Sequence, residues 1–188
     1  MTAPMKKLLI LWLLAIAHTS FAQETASLES TQTQESGGLS DVSTAQPLVA
    51  EVKWNALQNI LSSSSDTTYV LNFWATWCRP CVAELPHFEA VNRHYASQKV
   101  KVVLVSMDFV KDMEDRVIPF VERMKLTNPV WLLNEPDANS WIERVDSTWT
   151  GALPATLIIN PARSRKVFYE KALDYETLAR DLSYFLDY

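Results

Sequence analysis

Hydrophobic positions in this chain fall into alternating helical and strand-like runs, but only beyond Pro47. There "VKWNALQNIL" places Val52, Leu57, Ile60 and Leu61 near one helical face, with Trp54 beside it. "SSSSD" ends that element, and "TTYVLNFWA" reads as a buried strand. A helix is predicted from about Arg79 to Ala96, followed by a second strand, "KVVLVSM". Residues from about Asp112 to Met124 read as helical, with Val117, Phe120, Val121 and Met124 on one side. "PVWLLN" is a third strand and "ANSWIERV" a short helix. "ATLIIN" and "KVFYE" are two further strands, separated by the turn-like "PARSR". The chain closes in a helix from about Asp174, with Leu178, Leu182, Phe185 and Leu186 on one stripe. Three strands alternating with helices, then two adjacent strands and a last helix, predict an α/β fold. Its centre is a mixed β-sheet with helices on both faces.

The residues before Pro47 follow a different pattern. Lys6 and Lys7 precede the apolar run "LLILWLLAIA", and Ser20 and Ala22 then supply the small residues that a signal peptidase cuts behind. Residues 1–22 are expected to be a signal peptide, because ten apolar residues fall short of the roughly 20 that a spanning helix needs. No cysteine lies near the cleavage point to carry a lipid. An exported, periplasmic protein is the expectation. Residues 23–47, "QETASLESTQTQESGGLSDVSTAQP", hold too few apolar side chains to offset their ordering entropy and read as a flexible linker. Residues 48–188 remain as one domain. Within the 188 residues, 48% are hydrophobic and 21% charged, the balance of an ordinary globular protein. Loss of residues 1–22 removes two lysines and no acid, so 17 basic against 22 acidic residues become 15 against 22, a formal charge of −7. That charge argues against nucleic acid, or an anionic membrane surface, as a partner.

Export changes what the cysteines mean. The chain has two, Cys78 and Cys81, both within "FWATWCRPCVAELP". A disulfide closing so short a loop constrains little of the unfolded chain. A zinc site would need two further ligands, and His87 and His94 stand about 10 Å apart along one predicted helix, too far to share a metal. The strand–CxxC–helix context in an exported chain points to redox chemistry. Cys78 falls directly after a strand, where the next helix starts; the unpaired amides and dipole of that helix stabilise a thiolate. Pro80 fits the first helical turn, where its missing N–H costs nothing, and Arg79 adds a nearby cation. Cys81 lies one turn further in and more deeply. Cys78 is therefore the expected attacking thiolate, and Cys81 the resolving one.

"WATWCRPC", followed some seventy residues later by "GALPAT", resembles the thioredoxin fold, and more narrowly the exported TlpA/ResA-type thiol–disulfide oxidoreductases. The resemblance covers about residues 48–188. It implies that Pro154 is cis and faces the dithiol, shielding it from metals, and that the Leu153 backbone is presented to an extended substrate peptide. Trp74 and Trp77 are implied to line the surface around Cys78, with plain core as the other reading of Trp74, and Arg79 and Pro80 are expected to join that surface. Thioredoxins proper carry a buried aspartate where this chain has Asn72, so its proton-handling role is vacant or filled elsewhere. The related proteins characteristically have a glutamate near the sulfurs at the position of Glu84. A partly buried carboxylate there, its pKa raised by desolvation, can exchange a proton with Cys81. Pro86 matches the proline that kinks this helix in such folds.

These residues together point to a protein-disulfide reductase with catalytic Cys78, Cys81 and Glu84, and substrate contacts from Trp77, Arg79, Pro80, Leu153 and Pro154. No cofactor or metal is expected. The resemblance implies a protein disulfide as substrate, apocytochrome c before haem attachment for example, and a membrane-embedded thiol relay as electron donor; a monomer is expected. A thiol oxidase shares the architecture, and a copper(I) carrier can also use two soft thiolates. A thiol peroxidase of the redoxin type attacks with a lone activated cysteine instead. Elsewhere no chemistry is expected. His87 and His94 are expected to be solvated, Asp108, Asp112, Glu114 and Asp115 to form a solvated loop and helix start, and Trp131, Trp141 and Trp149 to be packing.

Overall fold

The computed structural model describes residues 48–186, so the expected signal peptide and linker lie outside the described residues. Six strands form one mixed sheet: β1 (Val49–Val52), β2 (Thr68–Trp74), β3 (Val100–Ser106), β4 (Val130–Leu133), β5 (Ala155–Asn160) and β6 (Arg165–Tyr169). They are ordered β1-β4-β3-β2-β5-β6. The first four in this order run parallel to one another, whereas β5 pairs antiparallel with both β2 and β6. Among the described residues the α-helices are α1 (Trp54–Leu61), α2 (Arg79–His94), α3 (Ile118–Met124), α4 (Ile142–Val145) and α5 (Tyr175–Leu186). The mixed α/β sheet expected from the sequence is the fold observed.

Strand β2 shows why the apolar run of its sequence is unbroken. A parallel strand covered on both faces must be apolar at odd and even positions alike. Val70 and Trp74 pack into the core beneath α2, α3 and α5, while Leu71 and Phe73 join the core beneath α1 and α4. Val102 and Leu104 of β3 take the first face, and Val103 and Val105 the second. The exception in β2 is Asn72, fully buried and on the α2 face, where it meets Glu84. The second core is aromatic. Phe73 lies 4.6 Å from Trp149, and Trp141 and Trp149 meet edge-on at 5.5 Å.

Two elements differ from expectation. Strand β1 was not expected. Its four residues, paired with β4 at the sheet edge, are too short to show an alternation, and Val52 belongs to it rather than to the following helix. The helix expected over Asp112–Met124 is broken: a 3₁₀ turn at Val110–Asp112 and a π turn at Met113–Val117 precede α3. Pro119 accounts for this. It offers no N–H to the Asp115 carbonyl and its ring crowds that carbonyl, so the turn before it widens.

Candidate active site

The end of β2 delivers the chain into α2, and Cys78 is the N-cap of that helix. Its Sγ accepts a hydrogen bond from the Cys81 N–H at 3.3 Å. The two cysteines are joined as a disulfide, with Cα atoms 5.3 Å apart. Exposure separates them: Cys78 retains 6% of its surface and Cys81 none. Pro80 occupies the first turn of α2, which continues through Pro86. Trp77 is 60% exposed, whereas Trp74 is plain core.

Cys78 lines a groove of about 600 Å³ whose walls also include Trp77, Arg79 and Pro80. Leu153 stands in the same wall, and the Leu153–Pro154 peptide bond is cis, with Pro154 buried. Of the site residues expected from the sequence, Trp77, Cys78, Arg79, Pro80 and Leu153 line this groove, whereas Cys81, Glu84 and Pro154 are not part of its wall. Two more did not announce themselves. Trp141 and Trp149 are packing on one side, as expected, but they also line the groove. Only the β4–β5 connection folding back over the sheet brings them there. No local pattern in the sequence marks either residue.

Glu84 lies on α2 one turn beyond Cys81 and is 2% exposed, so it is not a surface residue. Its Oε1 accepts from the Asn72 side-chain amide at 2.8 Å, and its Oε2 from the Leu173 N–H at 2.7 Å. Burial pushes its pKa up from 4.5 to about 7, although both hydrogen bonds favour the charged form and pull the other way. Asn72 also donates to Thr156 Oγ1 at 3.1 Å, and its own Oδ1 is buried without a partner. The aspartate position of thioredoxins is here an amide that holds a carboxylate from the neighbouring helix.

Asp108 corrects the solvated-loop expectation. It is buried, and accepts from the Thr76 N–H at 2.9 Å, the Thr76 hydroxyl at 2.6 Å and the Ser106 hydroxyl at 2.8 Å. A carboxylate taken out of water has to be hydrogen-bonded, and the donors Asp108 finds fix the turn leading to Cys78. His87 is half-buried and His94 exposed. A reactive sulfur at a helix N-terminus, a buried partner sulfur one turn in and a buried carboxyl able to hold or release a proton near neutral pH can together carry out dithiol–disulfide exchange.

Similarity to known proteins agrees with this geometry. The thiol-disulfide oxidoreductase ResA of Oceanobacillus iheyensis is 32% identical over 118 residues, covering 63% of this chain and 57% of that protein. The protein of the same name from Bacillus subtilis is 34% identical over 91 residues, covering 48% and 46%. The chain therefore spans about half the length of these relatives. Among solved structures, a thioredoxin-related protein from Neisseria meningitidis superposes with a TM-score of 0.56 at 19% identity, covering 64% of this chain and 86% of its own. A thiol:disulfide interchange protein of the thioredoxin family from Chlorobium tepidum gives 0.55 at 21% identity, covering 66% and 83%. Both show the thioredoxin-like fold. The profile of the AhpC/TSA family matches residues 50–166, and this chain belongs to that family; its similarity is to the ResA proteins.

Proposed function

We propose that the chain is an exported thiol–disulfide oxidoreductase that reduces protein disulfides in the periplasm. The observation that carries this reading is the Cys78–Cys81 pair at the N-terminus of α2, with unequal exposure of its two sulfurs. In the reduced protein, the Cys78 thiolate attacks one sulfur of a substrate disulfide. A Cys78–substrate disulfide forms and the other substrate sulfur leaves as a thiolate, which takes up a proton. Cys81 gives its proton to Glu84, attacks Cys78 Sγ and expels the second substrate thiolate. Two electrons pass from the dithiol to the substrate, and the Cys78–Cys81 disulfide remains.

Glu84 suits the proton transfer because a base with a pKa of about 7 is half ionised near neutral pH. Trp77, Arg79, Pro80, Leu153 and Pro154 form the surface that receives the substrate backbone. Recharging the dithiol requires an electron donor, for which a membrane thiol relay is the proposed source. Apocytochrome c is one protein substrate that such a chain can serve. The protein acts as a monomer, with residues 1–22 as its signal peptide and residues 23–47 as a linker to the domain.

The reduction potential of the Cys78–Cys81 couple, measured by equilibration against glutathione, tests the direction. A value near or below about −250 mV, in the range of thioredoxin, supports a reductase that needs an electron supply. A value near about −120 mV makes the protein an oxidant and reverses the proposed flow.

A further inference from the structure

Residues 150–153 lie in the connection from α4 to β5, and Gly151, Ala152 and Leu153 form part of one wall of the groove beside Cys78. The residue that holds this connection in place comes from elsewhere. Glu170, directly after β6, uses a single oxygen, Oε1, to accept from the Thr150 N–H at 3.1 Å, the Thr150 hydroxyl, and the Ala152 N–H at 2.9 Å. From the other side, the Trp149 indole N–H donates to the Ala152 carbonyl at 3.0 Å. Gly151, between the clipped residues, has φ +94°, and a Cβ there would stand 3.3 Å from Ile142 Cδ1. The backbone of Ala152 is thus occupied at both its N–H and its carbonyl. Leu153 differs: among the described residues, none pairs with its backbone N–H or carbonyl.

We propose that Glu170 is a positioning residue for substrate: its clip on Thr150 and Ala152 fixes the loop so that the free Leu153 peptide group meets the extended backbone of a bound protein disulfide. This rests on the reading of the chain as a disulfide reductase. Thr150 and Ala152 are exposed, so water satisfies the same donors when the clip is lost, and little folding stability depends on it. What the three converging bonds set is the shape of the wall.

The test compares variants of the full chain with insulin as the protein disulfide, 2-hydroxyethyl disulfide as the small one, and dithiothreitol as electron donor. Glu170→Ala is expected to raise KM for insulin about 10-fold while kcat changes less, as expected when a contact surface is misplaced by a fraction of its width. The rate with 2-hydroxyethyl disulfide, which has no peptide backbone to pair with Leu153, is expected to change less still. Glu170→Gln keeps Oε1 and is expected to restore KM to within about twofold of the wild type, because every donor uses that atom. Thr150→Val, which deletes one of the three donors and leaves Glu170 intact, is expected to raise KM about threefold and stands in if Glu170→Ala does not fold. An unchanged KM for insulin in both Glu170→Ala and Thr150→Val overturns the proposal. So does a loss in Glu170→Gln as large as in Glu170→Ala, since charge would then matter rather than the clip. A wild-type protein that reduces neither disulfide overturns the reductase reading, and the clip with it.

Discussion

Helix α2 buries two glutamates five residues apart, and they live in different chemical surroundings. Glu84 is 2% exposed and Glu89 7%. Glu89 accepts four hydrogen bonds: from the Thr127 N–H and hydroxyl, the Asn128 N–H and the Asn128 side-chain amide. It stitches α2 to the turn that feeds β4. Glu84 accepts two, from Asn72 and Leu173, and its carboxyl is pushed up to about 7. Burial alone therefore does not decide what a carboxyl group does: four donors make Glu89 an anchor for the turn before β4, whereas Glu84 has two donors and a carboxyl able to titrate near neutral pH.

The largest expected effect falls on the anchor. Glu89→Ala leaves the Thr127 and Asn128 donors without their acceptor, and should cost about 4 kcal/mol in urea denaturation. Glu89→Gln keeps one carbonyl oxygen for the three donors on Oε1 and should lose much less. Neither change should move the reduction potential of the Cys78–Cys81 couple; a shift of tens of millivolts would erase the distinction between the two glutamates.

Next in size is the pH dependence that Glu84 gives the folded state. Its carboxyl is raised from 4.5 to about 7, so between these values the folded protein binds more protons than the unfolded chain. Stability from this group is therefore greatest below the unfolded pKa, falls as pH rises through the window, and levels off above about 7, a loss of at most about 3.4 kcal/mol. Denaturation of the oxidised wild type and of Glu84→Gln between pH 4 and 9 checks this, because the glutamine variant should lack that component. A parallel pH response in the two proteins would place the titration elsewhere.

Glu84→Gln should also slow release of the mixed disulfide by about 100-fold near neutral pH, about 2.7 kcal/mol in the barrier. The first step, attack by Cys78, should be nearly unaffected. Rapid mixing of reduced protein with a disulfide substrate separates the two phases, and equal slowing of both would assign Glu84 a role at Cys78 instead.

How much of this was visible in the sequence follows from the range of the contacts. The dithiol sits where a buried strand passes into a helix start, a local pattern of a few residues, so Cys78, Cys81 and Pro80 were legible outright. Glu84 was legible from its position one turn past Cys81, but its donors were not: Asn72 is on another strand and Leu173 is 89 residues away. Asp108 read as part of a solvated acidic run, because nothing local says that Thr76, 32 residues earlier, will fold over it. Glu170, Trp141 and Trp149 acquire their places only when β5 and β6 pair antiparallel beside β2 and the connection from β4 closes over the sheet. Strand β1 and the π turn before Pro119 failed for a different reason: four residues are too few to show a period, and a helical pattern does not reveal how wide each turn is.

The smallest effect tests the donor argument most directly. In Asn72→Ala, Glu84 loses one of its two donors, the side-chain amide 2.8 Å from Oε1, and keeps the Leu173 N–H. Because that amide favours the charged carboxylate, its removal should raise the Glu84 pKa further, by about one unit or 1.4 kcal/mol. The midpoint of the pH-dependent loss of stability should move from near 7 towards 8. At pH 5 Glu84 is protonated in the folded state, so the amide's bond to the carboxylate is not at stake there. The substitution also removes an Oδ1 that is buried without a partner, which offsets part of the cost. The destabilisation should therefore be larger at pH 9 than at pH 5. A midpoint that stays where the wild type has it would mean that burial and Leu173 set the titration without Asn72.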